Sequence, residues 1–127
     1  MKKINKIILV VFLLFVSKAF YGQNLKIMTY NIRLDVASDG ENAWPNRKDY
    51  FTSQIQFYSP DIFGVQEATP NQVLEIASAQ TNYNRFGIGR EENGTGEACT
   101  IYYKKDRFKV EQSNTFWLSE TPNVVSR

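Results

Sequence analysis

The chain has no histidine and only one cysteine, Cys99, among its 127 residues. The lone cysteine rules out an intrachain disulfide. With no imidazole to activate it, Cys99 is a poor candidate nucleophile. Its setting, "ACTIYY", reads as a strand with a buried structural thiol. Long apolar runs are also missing. The stretch "IILVVFLLFV", residues 7–16, is ten residues long, whereas a membrane-spanning helix needs about 20. After residue 23 there is no internal repeat, low-complexity tract or linker. The length allows one domain and is short for two.

What is present begins with a basic opening, "MKKINK", followed by that apolar run. The pair fits a secretory signal peptide over residues 1–22. Cleavage after Ala19 and cleavage before Gln23 both suit the small residues there, and an uncleaved anchor is the competing reading. The implied location is secreted or periplasmic, with no stable membrane association once the signal is removed. The whole chain carries 15 Lys and Arg against 13 Asp and Glu. Four of the lysines (Lys2, Lys3, Lys6, Lys18) lie in the signal, so the mature part holds 11 cations against 13 anions, a net charge of −2. A mildly acidic protein is not built for strong bulk binding to nucleic acid. Nine Phe, seven Tyr and two Trp supply ample material for a core.

Local patterns give the order β-α-β-α-β-β-β. "LKIMTYNI" (25–32) reads as a strand apolar on both faces. Residues 33–45 form a polar loop. A helix runs over 46–58, opened by Pro45, striped by Phe51, Ile55 and Tyr58, and stopped by Ser59-Pro60. Residues 61–66 form the second strand. Thr69-Pro70-Asn71-Gln72 is a capping box with proline at the first helical position, opening a helix to about residue 78. "YNRFGIG" (83–89), "ACTIYYKK" (98–105) and "FKVEQSNTFWL" (108–118) read as strands, the last two as a hairpin across "KDR". The first β-α-β unit should pair its strands in parallel and the later strands antiparallel. The fold class is therefore α/β (α+β) with a mixed sheet.

Asn31 stands near the C-terminal end of the first strand and Glu67 at the C-terminal end of the second. In parallel neighbours both reach the same carboxyl edge, where α/β sheets place their ligands. An amide and a carboxylate there suit a hard cation. Mg²⁺ takes one or two protein carboxylates and completes its octahedron with water and substrate phosphate. Plainer readings compete. An acid ahead of a helix is favoured by the helix dipole by about 0.3–1 kcal/mol, and an asparagine at a strand end often makes a turn. The glycines of "FGIGREENGTGEA" fail as a phosphate loop. Glu92 stands where the third glycine belongs, and no Gly-Lys-Ser/Thr follows. Glu97 stands just before a strand, as Glu67 stands just after one. "WPNR" reads as a packed loop and "FWLSETP" as a strand end with a turn.

Four segments in order, "LKIMTYNIR", "PDIFGVQE", "FGIGREENGTGEACTIYYKKDRF" and "TFWLSETP", resemble the endonuclease/exonuclease/phosphatase family, the deoxyribonuclease I-like superfamily, and above all its secreted bacterial members. The resemblance spans residues 25–127. It implies a four-layer α/β/β/α sandwich with two packed sheets and helices outside. It also implies hydrolysis of phosphoesters with Mg²⁺ or Mn²⁺, as in nucleases, phosphodiesterases and phosphatases. It assigns Glu67 to the metal, Asn31 to phosphate binding and orientation of the active site, and Glu97 to orienting a catalytic histidine.

The departures weigh as much as the matches. The family's Gly-Asp-x-Asn and Ser-Asp-His motifs do not occur here, and neither does any histidine. The chain therefore reads as the N-terminal half of such a hydrolase, from a truncated reading frame or a cut chain, and inactive by itself. Its substrate would be a phosphoester of unknown type. The alternative is a small exported binding or interaction module that keeps the scaffold without the chemistry and uses exposed Trp44 and Trp117 as contacts.

Overall fold

The computed structural model describes residues 22–126. The expected signal peptide lies almost wholly outside the described residues. Among them, no helix is long and apolar enough to cross a membrane.

Strand β1 is Ile27–Asn31. A 3₁₀ segment, Ala37–Asn42, follows inside what the sequence presents as plain loop; it kinks at Gly40, whose φ is 54°. Helix α1 is Trp44–Tyr58, with Pro45 in its first turn. It buries Trp44, Phe51 and Ile55. Tyr58, expected in that stripe, is 51% exposed, and Trp44 takes the inward place instead. Ser59 turns left-handed at φ 43° and donates its N–H to Ile55 O, closing the helix. Strand β2 is Ile62–Ala68. Helix α2, Pro70–Ala79, starts with the expected capping box: Thr69 accepts from the Gln72 backbone while the Gln72 side chain accepts from Thr69 N. Strands β3 and β4 are Tyr83–Phe86 and Ala98–Lys104.

The four strands form one mixed sheet in the order β1-β2-β4-β3. β1 and β2 are parallel, with Asn31 opposite Gln66. β4 runs antiparallel to both β2 and β3. No strand forms over residues 108–118, and the reason is geometric. A hairpin across "KDR" would need a free edge on β4, and both of its edges are taken.

One face of the sheet supplies the core. Phe63, Val65 and Tyr102 pack with Phe51, Ile55, Val73 and Ile76. The rings of Phe63 and Tyr102 stack 4.6 Å apart, and Tyr83 meets Phe63 edge-on at 5.1 Å. Both buried phenols find acceptors, Tyr102 at Val73 O (3.1 Å) and Tyr83 at Pro60 O (2.6 Å), as desolvated hydroxyls must. Burial pushes both phenol pKa values upward. The opposite face is bare at Ile27, 69% exposed, and at Ile101 and Cys99. Strand β1 is thus apolar-in on one side only, through Met28 and Tyr30. The buried thiol expected at Cys99 is corrected likewise. Alternation along β4 turns Thr100 and Tyr102 inward and Cys99 outward.

The N-terminal ends of β1 and β2 are tied by Asp61, which is almost fully buried. Its carboxylate accepts from Lys26 N at 3.0 Å and Lys104 Nζ at 3.1 Å, and pairs with Arg107. The backbone donor at Lys26, reinforced by the two cations, lowers its pKa to about 2.

Candidate active site

The carboxyl edge of the parallel pair is built by two departures from regular backbone. Between β2 and β4 the register runs from Val65↔Thr100 to Ala68↔Ala98. One extra residue is therefore inserted on β2, a β-bulge. Inside it Glu67 adopts φ 61°, and just past β1 Arg33 adopts φ 59°. Left-handed backbone is costly for side chains other than glycine, and such residues collect at functional sites.

The two departures frame one contact. Asn31 Nδ2 donates to Glu67 Oε1 at 2.7 Å. Arg33 N donates to Asn31 Oδ1 at 2.9 Å, which fixes the orientation of the carboxamide. The start of α2 is already satisfied by Thr69 and Gln72, so the Glu67 carboxylate turns to Asn31 rather than capping the helix. The segment after β1 is held from outside. Arg47 donates to the carbonyls of Ile32 at 2.6 Å and Leu34 at 3.4 Å, and to that of Asn42. The Arg33 guanidinium pairs with Asp39 at 2.6 Å.

Glu67 and Glu97 line one cleft of about 700 Å³, together with Arg90, Cys99 and Trp117. Glu97 stands at its wall with Oε1 3.2 Å from Arg90 Nη1, and Arg90 N donates to Glu97 O at 2.9 Å. The Glu97 carboxylate is therefore engaged by a cation. Trp117 Nε1 donates to Arg90 O at 3.2 Å. Trp44 is not a contact residue in waiting. It is buried, and its indole N–H donates to Glu75 at 2.9 Å. The glycine-rich loop has a steric explanation, since a Cβ on Gly89 would stand 2.0 Å from the carbonyl oxygen of Thr95.

Among the described residues no group of three His, Cys, Asp or Glu side chains stands close enough to hold a metal ion. At the carboxyl edge the donor set is one carboxylate, Glu67, with a neutral amide hydrogen-bonded to it. That set fits a hard cation held through a single protein carboxylate with open positions for water and phosphate. It does not make a closed cage.

A family model for endonucleases, exonucleases and phosphatases matches residues 28–116. The chain belongs to the endonuclease/exonuclease/phosphatase family. Among solved members of the family, one from Bacteroides vulgatus is 37% identical, with a TM-score of 0.79, over 82% of this chain and 40% of that one. A mannosyl-6-phosphatase from Bacteroides thetaiotaomicron is 34% identical, with a TM-score of 0.77, over 81% and 40%. An uncharacterized protein of Acanthamoeba polyphaga mimivirus is 26% identical over 85% of this chain and 18% of the viral protein. This chain thus spans about 40% of the length of the solved relatives it matches. The fold is a phosphoesterase-type fold, mixed α and β, and the family generally works with a divalent metal.

The supports around the site are harder to see in sequence than Asn31 and Glu67. Arg47 sits in "WPNR" with nothing to mark its three carbonyl acceptors. Gln72 is legible as a capping-box residue, but its second bond, described below, has no sequence signal.

Proposed function

We propose that this chain carries the metal-binding and phosphate-binding end of an exported, divalent-metal-dependent phosphoester hydrolase, and that it does not turn over substrate by itself. The observation that carries this reading is the 2.7 Å contact between Asn31 and Glu67 at the carboxyl edge of two parallel strands. Glu67 offers a carboxylate to Mg²⁺ or Mn²⁺. Such an ion, when bound, polarises a phosphoryl oxygen and offsets the charge that develops in displacement. Asn31 spends one Nδ2 hydrogen on Glu67 and has a second to give to a phosphate oxygen. Glu97 and Arg90 line the same cleft as Glu67. The groups that activate water come from a complementary part of the fold, because the chain has no histidine and loss of a general acid or base typically costs about 10²–10⁴ in rate. The basic-apolar start supports export, and the mature charge of −2 supports a small phosphoester over bulk nucleic acid.

The test uses the chain without residues 1–22. Its Mg²⁺-dependent cleavage of bis(p-nitrophenyl) phosphate should stay at background. Paramagnetic broadening by Mn²⁺ should centre on Glu67 and Asn31 and disappear in Glu67→Ala. Turnover that Glu67→Ala abolishes would overturn the claim of inactivity. Broadening that ignores the substitution would remove Glu67 from the metal.

A further inference from the structure

Gln72 is fully buried, at 0% exposure, which is unusual for a polar side chain on the first turn of a helix. Its carboxamide is used at both ends. Oε1 accepts from Thr69 N at 2.9 Å and from Thr69 Oγ1 at 3.0 Å. Nε2 reaches across to Arg33 O at 2.9 Å, a residue 39 positions earlier in the chain. The bond from Thr69 N is one half of the capping box, and Gln72 N donating to Thr69 Oγ1 is the other. The bond from Nε2 does nothing for the helix.

What the Nε2 bond joins gives it a purpose. Thr69 lies two residues after Glu67, in the chain leaving the bulge. Arg33 lies two residues after Asn31 and is left-handed, at φ 59°. Its N–H orients the Asn31 carboxamide toward Glu67. Gln72 therefore bridges the chain leaving β1 to the chain leaving β2 on the side away from the Asn31–Glu67 contact. The circuit Asn31–Glu67–Thr69–Gln72–Arg33–Asn31 closes through four hydrogen-bonded legs and, between Glu67 and Thr69, the chain itself through Ala68. Within it Arg33 is held at both backbone groups, its N–H on Asn31 and its carbonyl on Gln72. A strained backbone conformation persists when its surroundings over-determine it.

The geometry points to Gln72 as a positioning residue. It holds Arg33 left-handed and so keeps the Asn31 carboxamide aimed at the Glu67 carboxylate. That the circuit serves metal and phosphate binding rests on the proposed function above. The circuit itself does not.

Gln72→Glu separates the two duties. Read at a pH where it is ionised, a glutamate at this position still completes a capping box but cannot donate to the Arg33 carbonyl. In the full chain, hydrogen exchange of the Arg33 N–H should speed up by about tenfold, the scale of one lost hydrogen bond. The Asn31 side-chain amide resonances should shift, while the Val73 N–H, which bonds Thr69 O inside the helix, keeps its protection. Adding Arg33→Gly, which is at ease at positive φ, should restore the Asn31 resonances. Mn²⁺ affinity in Gln72→Glu should fall by about tenfold, as for losses of groups that orient metal ligands. Unchanged Arg33 exchange and Asn31 resonances in Gln72→Glu would overturn the inference. Should that variant not fold, the wild-type chain decides. The Gln72 Nε2 protons must be protected along with the Arg33 N–H, and free exchange at Gln72 beside a protected Arg33 overturns the bridge. If Arg33 and Asn31 respond as stated while Mn²⁺ broadening ignores Glu67→Ala, the bridge stands and the metal reading fails.

Discussion

Asn31 and Glu67 are 36 positions apart in the chain, yet their side chains meet at 2.7 Å. One closes an edge strand, and the other sits in the bulge of the neighbouring strand. The contact is an amide on a carboxylate, so it tolerates a negative charge on one side only.

Asn31→Asp tests that asymmetry. Two carboxylates at this distance repel by about 1 kcal/mol at a solvent-accessible edge. The variant should melt below wild type at neutral pH. It should recover on acidification, as one of the pair takes a proton, or on addition of Mg²⁺. Thermal melts with and without Mg²⁺ check this, and equal melting temperatures in the two proteins would dismiss the repulsion.

The positive φ of Glu67 separates stability from function. Glu67→Ala removes the carboxylate and keeps the strain. Glu67→Gly removes both. Urea denaturation should find Glu67→Gly more stable than Glu67→Ala by about 1 kcal/mol, with neither responding to Mg²⁺.

Asp61 sets the acid limit. Its ordinary pKa of 3.8 falls to about 2 in the fold. A depressed carboxyl contributes stability above the unfolded value and loses it as pH falls through the folded one. The wild-type denaturation midpoint should drop between about pH 4 and pH 2. Asp61→Asn should be weaker at neutral pH and flatter across that window.

Trp44 and Glu75 clamp the two helices to each other. The indole N–H, together with Lys48 and Asn71, holds the Glu75 pKa below its usual range, against the opposing effect of desolvation. Glu75→Leu leaves the buried indole N–H without its acceptor and should cost about 1–3 kcal/mol. The Trp44 indole proton should move toward the position of an unbonded indole in the proton spectrum.

Cys99 lies on the open face. A thiol reagent should titrate one thiol per chain without denaturant. A thiol that appears only after unfolding would contradict this placement.

Most of the fold was readable because its signals are local. Pro45, the Thr69–Gln72 box and the strand runs place both helices and four strands within a few residues. The hairpin expected over 108–118 does not form, because alternation cannot report that both edges of β4 are occupied. Cys99 and Tyr58 face outward against expectation, because their sides follow from how the helices sit on the sheet. Asn31 and Glu67 were visible as a pair at one sheet edge. The bulge that aims Glu67 and the grips of Arg47 and Gln72 depend on contacts between distant residues, which no local pattern encodes.

The strand order also sets a sequence of events. Among the described residues β2 is bordered on both sides, whereas β1 and β3 are the edge strands. The parallel partner of β1 lies beyond an intervening helix, so closing that ladder carries more chain entropy than the β3–β4 pairing. The β3–β4 pair is expected to form first, and β2 and β1, each far in sequence from its partner, to join afterwards. Asn31 and Glu67 then meet only after both β1 and β2 have joined the sheet. Assembly of the Asn31–Glu67 contact reports completion of the sheet.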